Sequence, residues 1–421
     1  MTGTTQGTAV NEHYLNKVLA LSEEMSVTAT EDIYDVNGMK LLAKGAPVSP
    51  RLQERLIVHR LKKPIESCIA VDDGIDGRAL ADCAAQACEE SPALSAIVAA
   101  CGVTPAAMAR EFGRLAFGPA MTMMLTMFER NGQRALRHAA EVATLALSFV
   151  AHARMAPDAL QAACMAGVLH DIGELYIDPD LINASHVLTP EEWSHVIVHP
   201  HIGRLLIQDL EACPAAVGIA VSEHHERLNG TGYPRAMIAG QSSTIGQLLA
   251  GAELISGILH ASNPLQRTAL ALKIVNGEHP GMIASIVSKA MRASGDGAIE
   301  IDAVGASDDD IAALASRMAA AAELATGLAR GTMAPKHADI LMRARERLSL
   351  VQRAFMATGL DMRIAALEGA APDHYELFES QLALREINWR LRDLGRDLAI
   401  QLGAAQMSVK GMAQLVGLLC G

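Results

Sequence analysis

Two short stretches gather side chains that bind metal ions: His170-Asp171-Ile172-Gly173, and His224-His225-Glu226-Arg227-Leu228-Asn229-Gly230-Thr231-Gly232-Tyr233-Pro234. Imidazole and carboxylate together suit Fe, Mn or Zn better than Ca or Mg. A His-Asp doublet alone is a weak signal, and a His-His pair only slightly better. Two further imidazoles extend the set. His138 lies in the apolar-periodic run Ala135-Leu136-Arg137-His138-Ala139-Ala140-Glu141-Val142-Ala143, and His199 in His199-Pro200-His201-Ile202-Gly203. Single histidines such as His152, His195 and His201 are better explained as surface or satisfied core residues. His138, His170, His199, His224 and His225 taken together read as ligands.

Helices must position these groups. Leu160, Ala163, Cys164, Gly167 and Val168 form an apolar face that buries the His170-Asp171 doublet. Gly173 after it marks a helix C-terminus. Thr189-Pro190-Glu191-Glu192 is a helix start, with Thr189 as cap and Glu192 at the capping-box position.

The chain is expected to be mainly α, a helical bundle core with a small N-terminal α+β module and a C-terminal helical region. Residues 1–75 form the lead-in module, structural or sensory. A polar lead and one short helix reach about residue 27. Ile33-Tyr34-Asp35-Val36 and Met39-Lys40-Leu41-Leu42 flank Asn37-Gly38, a hairpin signal. A helix then opens at Pro47, Ser49 and Pro50, and Pro64 to Val71 reads as a strand. The module lacks a phosphate loop and a nucleophile motif, and βαβ alternation is missing, which argues against a phospho-acceptor receiver. Residues 76–300 hold the metal ligands. Residues 301–421 are Ala-rich and helical, after a loop at Gly295-Asp296-Gly297. Leu377, Leu384, Ile387, Leu391, Leu394 and Leu398 follow the coiled-coil period. That period fits either a helix docked on its own chain or the seam of a homodimer.

Composition narrows the function. The net charge of −12 opposes general nucleic-acid binding, which needs a positive field to displace counterions. It leaves room for a small anionic ligand beside a bound metal ion. Aromatics are 3% of the chain, too few for base-stacking platforms along single strands. No apolar run approaches the ~18 residues of a membrane span, and Met1 to Val10 lacks the order of a signal peptide. Seven scattered cysteines suit reduced thiols, with Cys83 and Cys88 in the core. The expectation is a soluble cytoplasmic protein without a membrane span.

The order His138, His170-Asp171, His199 within His-Pro-x-Ile-Gly, His224-His225 and Gly232-Tyr233-Pro234 resembles the HD-GYP domain, a bacterial branch of the HD metal-dependent phosphohydrolases. The resemblance covers roughly residues 115 to 300 and implies an HD-type helical bundle core. It implies hydrolysis of a cyclic dinucleotide, cyclic di-GMP, through a metal-bridging hydroxide. It also implies a pair of divalent transition metals, Fe or Mn. Asp171 would bridge them, with His138, His170 and Glu253 on one metal and His199, His224 and His225 on the other. Gly232, Tyr233 and Pro234 would shape the ligand pocket, with Arg227 and Arg267 as further substrate-binding candidates. Asp171 and Glu174 are the catalytic candidates.

The departures from the family pattern bear on activity. Glu174 stands where a phosphate-contacting lysine is usual, giving HDIGE in place of HDIGK. Glu253, in Ala252-Glu253-Leu254-Ile255-Ser256-Gly257, replaces an Asp and has one more methylene of reach. Asn263-Pro264-Leu265 replaces Arg-Pro-Tyr, leaving Arg267 as a stand-in for the phosphate-binding arginine. Asn229 occupies the place of an Asp. Arg134 occupies the place of a third-metal Glu, which implies a two-metal centre. Three readings stay open: a cyclic-dinucleotide phosphodiesterase, a weak or inactive metal- and nucleotide-binding signalling protein, and a phosphohydrolase of another nucleotide.

Overall fold

Asn11 accepts a hydrogen bond from the Tyr14 amide and starts the first helix, Glu12–Glu24, in the computed structural model. The structure describes residues 8–130, 135–211, 213–274, 277–295, 307–331, 333–360, 374–407 and 411–421. Most of these are helical, and the strands are short and confined to the lead-in module. Ile33–Tyr34 pairs antiparallel with Lys40–Leu42, as the Asn37-Gly38 signal requires. Gly38 takes φ +86°, a conformation costly for other residues. Asp35 Oδ1 accepts from the amides of Asn37 and Met39 and closes the turn.

Two local expectations are refined. The strand read from Pro64 begins only at Ile69, after a 3-10 turn at Ile65–Ser67. Pro64 has no amide to give a ladder and caps that turn instead. Its partner is Val27–Ala29, with Val27 opposite Val71. Three residues are too few for alternation to show in the sequence. The helix expected after Pro47 is a 3-10 turn, Pro50–Leu52, running into Gln53–Val58.

The chain divides into two compact units. The first comprises 1–185, 195–225 and 242–256, and the second 186–194, 226–241 and 257–421. The first unit is built around Ala135–His152, whose residues from Ala139 to Val150 are all buried. Around it pack Gly77–Glu90, Pro92–Cys101, Pro157–Leu169 and Thr244–Ser256. A helix buried on all sides belongs at the centre of a bundle.

The second unit is a helical assembly in which Asp308–Ala329, Pro335–Ala357, His374–Met407 and Met412–Cys420 share one apolar core. Ile387, Leu391, Leu394 and Leu398 are at most 2% exposed within this single chain. They meet Ile311, Leu314, Ile340, Leu348 and Leu415 in that core. The heptad row is thus filled by the chain's own helices. It does not supply the homodimer seam that its period also allowed, and a dimer would need another surface. Among the described residues one helix, Asp308–Ala329, is long and apolar enough to cross a membrane, with a mean hydropathy of 1.2. Its Ile311, Leu314, Met318, Ala321 and Ala325 are buried in the same core.

Candidate metal centre

All seven expected ligands lie in the first unit, on five elements. His138 sits in the Ala135–His152 helix, and His170 and Asp171 just past the end of Pro157–Leu169. His199 opens His199–Leu210, His224 and His225 follow Ala215–Val221, and Glu253 sits in Thr244–Ser256. Two glycines let these elements approach. A Cβ on Gly167 would fall 2.4 Å from the Ala143 Cα, where the helices of His138 and His170 cross. A Cβ on Gly173 would fall 2.1 Å from the His199 carbonyl oxygen. Gly173 therefore acts by close approach, within the 3-10 segment Ile172–Tyr176, and not as the expected helix C-cap. Glu223 ties the start of Thr244–Ser256 to the His224-His225 turn by accepting from the Ser243 amide and hydroxyl.

Asp171 faces two groups with its two oxygens. Oδ2 is 3.0 Å from His170 Nε2 and 3.7 Å from His138 Nε2. Oδ1 is 3.3 Å from His199 Nε2 and 3.4 Å from His224 Nε2. Glu253 Oε2 closes the first group, 3.1 Å from His138 Nε2 and 3.2 Å from His170 Nε2. Among the described residues no N–H meets that buried oxygen in good hydrogen-bond geometry. His225 joins Asp171, His199 and His224, the ligand atoms of all four lying within 4.8 Å of one another. His138, His170 and Asp171 form a second such set.

The tautomers are set from behind. His170, His199 and His224 each place Nδ1 on the backbone carbonyl three residues earlier: Gly167 at 2.8 Å, Val196 at 2.8 Å and Val221 at 2.6 Å. A carbonyl only accepts, so each Nδ1 carries the hydrogen and each Nε2 faces the carboxylates. Burial opposes it, but Asp171 pushes the imidazoles of His170 and His199 up, so their Nε2 holds a proton that a bound cation would replace. His138 differs. Its Nδ1 meets the Ser256 hydroxyl at 2.9 Å, and that hydroxyl donates to buried Glu141 Oε2 at 3.1 Å. These are the outer partners that fix metal-ligating histidines. Ser256 and Glu141 escaped the sequence reading. Each lies three residues from a candidate ligand, Glu253 and His138, a spacing that shares a helix face.

Burial opposes ionisation of Asp171, yet His170, His199 and His224 hold it well below the usual carboxylate range. Burial likewise opposes Glu253, which His138 and His170 hold well below its ordinary value. His225 is pushed well down, first by burial and then by His224 and His199, so it stays neutral. Converging imidazole Nε2 atoms, two carboxylates and a buried oxygen without a well-placed donor fit a divalent metal site, the metal taking the place of the Nε2 protons. Glu174 behaves differently. Burial first, then Asp171, pushes its carboxyl up to about 7. The lead-in module holds the backbone that carries it. Lys17 Nζ donates to the carbonyls of Leu175 at 2.9 Å, Ile177 at 3.3 Å and Glu174 at 3.4 Å. Tyr14 stacks on Tyr176 with centroids 4.9 Å apart.

The remaining candidates, Arg227, Gly232, Tyr233, Pro234 and Arg267, belong to the second unit. Arg267 is only 8% exposed, and its guanidinium is committed to packing. Nε donates to the Ser262 carbonyl, Nη2 to the Ser262 hydroxyl, and the group lies 5.2 Å over the Phe378 ring. Arg227 Nη1 donates to the Glu226 carbonyl. The Thr189–Glu192 capping box is present in both directions. Arg134, on which the two-metal count rested, lies outside the described residues, as do Asp296 and Gly297 of the expected loop.

A helical bundle with an Asp set between two groups of histidines points to a class, and residues 122–267 match the HD domain family. This stretch is an HD domain, of a fold that binds divalent metals, and its relatives are consistent with the HD-GYP branch. A cyclic di-GMP phosphodiesterase of Pseudomonas aeruginosa is 26% identical over 140 residues, covering 33% of this chain and 34% of the relative. The 3'3'-cGAMP-specific phosphodiesterase 1 of Vibrio cholerae is 23% identical over 139 residues, 33% of this chain and 32% of the relative. A cyclic di-GMP phosphodiesterase of Thermotoga maritima is 32% identical over 89 residues, 21% of this chain and 24% of the relative. The chain thus spans about a quarter to a third of the length of these curated relatives.

Proposed function

We propose that the chain is a metal-dependent phosphodiesterase that opens a cyclic dinucleotide, cyclic di-GMP in the first instance. The observation that carries this reading is Asp171, whose two oxygens face two separate groups of imidazoles. His138, His170, Asp171 and Glu253 would hold one divalent transition metal, and Asp171, His199, His224 and His225 a second, with Fe or Mn suited to the donors. Bound there, the two cations supply a water ionised near neutral pH and neutralise charge on the phosphoryl oxygens. The chain's own groups do the rest. The Nδ1 bonds keep Nε2 of His138, His170, His199 and His224 aimed inward, and Asp171 stays ionised. Glu174, with its carboxyl near 7, holds a proton close to the reacting centre for the leaving oxygen.

A second reading is favoured by one observation: Glu174 is an acid where the resemblance expects a lysine, and Arg267 is packed away. On that reading the chain binds metal and nucleotide and signals with little turnover. The purified protein, loaded anaerobically with Fe or Mn, decides between them. Hydrolysis of cyclic di-GMP or a related cyclic dinucleotide supports the enzyme. Binding without product supports the sensor, and metal uptake with neither binding nor product removes both.

A further inference from the structure

The loop Glu226–Gln241 carries the Gly232-Tyr233-Pro234 signature, and its form is set largely from outside itself. Internally, Glu226 is 4% exposed and accepts from the amides of Arg235 at 2.8 Å and Met237 at 2.9 Å. Asn229 Oδ1 accepts from the Thr231 amide and hydroxyl. A Cβ on Gly232 would fall 2.3 Å from the Arg227 amide nitrogen, so the chain folds tightly back on itself there.

Three arginines from the C-terminal helices then grip it. From Pro335–Ala357, Arg347 Nη2 donates to the Thr231 carbonyl at 3.3 Å, and the same guanidinium pairs with Asp393 and Asp397. From His374–Met407, Arg390 forms a buried two-pronged pair with Glu278, Nε to Oε1 at 3.0 Å and Nη2 to Oε2 at 2.6 Å. Glu278 in turn receives the Leu228 amide on its carbonyl at 3.0 Å, and its Oε1 lies 3.3 Å from the Thr231 hydroxyl, sharing that group's one hydrogen with Asn229 Oδ1. Arg396 lies 4.9 Å over the Trp193 ring and donates to the Leu188 carbonyl, and Trp193 meets Tyr233 edge-on at 5.3 Å. Thr231 and Tyr233, on either side of Gly232, are thus each fixed by a chain of contacts ending on an arginine.

We propose that Arg347, Arg390 and Arg396 are positioning residues for the signature loop, so that the C-terminal helices set the shape with which the chain meets its nucleotide. This rests on the cyclic-dinucleotide reading above and on the role in shaping the ligand pocket that the resemblance gives this loop. A planar guanidinium suits the task because its fork donates along fixed directions to carboxylate and carbonyl oxygens. The grip is selective: it falls on the loop's backbone carbonyl, one hydroxyl and one ring.

The test has an arm that needs no nucleotide. Arg347→Met and Thr231→Val, each sparing the buried Arg390–Glu278 pair, are compared with wild type by amide hydrogen exchange in the metal-loaded full chain. The expected result is roughly tenfold or faster exchange in peptides spanning 228–239, with peptides from 136–150 and the metal content unchanged. Arg347→Lys, which keeps the charge but not the fork, should fall between. Trp193 fluorescence in a Trp389→Phe background reports the same loosening through Tyr233. In turnover or binding, both variants should raise KM or Kd for cyclic di-GMP several-fold and change kcat less. Unchanged exchange in 228–239 overturns the grip. Faster exchange with unchanged KM or Kd overturns its role in positioning. A wild type that binds no cyclic dinucleotide sinks the nucleotide reading, and the exchange arm still decides whether the arginines hold the loop.

Discussion

His199 Nε2 and His224 Nε2 stand 3.1 Å apart, each on a ring whose Nδ1 is spent on a backbone carbonyl. Two lone pairs at that distance repel unless a cation lies between them or one ring takes an extra proton. The same conflict recurs between His138 Nε2 and His170 Nε2 at 3.2 Å. A divalent ion in each group relieves both. Elemental analysis should therefore find about two Fe or Mn ions per chain after loading. Asp171→Ala should lose both, because it removes the carboxylate that the two groups share. Removing the metal from wild type should lower the unfolding midpoint, since a ligand bound only by the folded state at 100 times its Kd adds about 2.7 kcal/mol. A protein that takes up no metal, or whose melting ignores chelation, defeats this.

The Ser256 hydroxyl separates the two groups experimentally. It joins His138 to Glu141, whereas the other three rings with defined Nδ1 partners lean on backbone that mutation leaves in place. Ser256→Ala should weaken one metal about 10- to 100-fold, the usual effect of losing an outer partner. The second metal, held by His199, His224 and His225, should bind as before. Calorimetric titration of the apoprotein would show one phase moving. Two phases moving together would mean that Ser256 supports the bundle and not one ligand.

The ligand set was legible because few side chains can bind metal, and their order survives in the chain even when their surroundings do not. His138, His170, Asp171, His199, His224, His225 and Glu253 all converge. The groups behind them were not legible, since Ser256 and Glu141 are ordinary helix residues until a neighbouring helix brings them to His138. Periodicity gave the Leu391–Leu398 row a face but could not name its partner, which is the chain itself. Spacing put Arg267 near the expected arginine. The fold then turned its guanidinium toward Ser262 and Phe378, a direction that sequence does not encode locally.

Asp393 should give the second unit a distinct pH dependence. Burial first, then Asp397, raises its carboxyl to about 6 against the opposing pull of Arg347, Arg227 and Arg396. The unfolded side chain titrates near 3.9. Between these values the folded state keeps a proton that the unfolded state releases. The associated stability is present below about 4 and is lost as pH rises through about 6. A shift of two units corresponds to at most roughly 3 kcal/mol. From pH 4.5 to 7.5 the urea midpoint of wild type should therefore fall more than that of Asp393→Asn, which cannot ionise. Parallel curves would show that Arg347 keeps Asp393 charged throughout.

Glu174 decides whether the missing lysine is a loss or a replacement. Its carboxyl is pushed up to about 7 by burial and by Asp171, and cations bound at Asp171 would draw it down from there. An acid that protonates the leaving oxygen works only while it holds its proton. Turnover of cyclic di-GMP should therefore fall as pH rises through that value or somewhat below it, the high-pH limb of a bell whose low-pH limb belongs to the attacking water and the histidines. Glu174→Gln keeps the shape but cannot give up a proton. It should lower kcat by about 10²–10⁴ and remove the falling limb. Glu174→Lys should also be slow, because an ammonium in place of the carboxyl holds its proton to a far higher pH and gives it up less readily. The opposite result is equally informative: a sluggish wild type that Glu174→Lys accelerates would show that a cation belongs at this position. The chain would then be a binding protein that has given up most of its chemistry, and its metal and nucleotide affinities, not its rate, would be what its fold maintains.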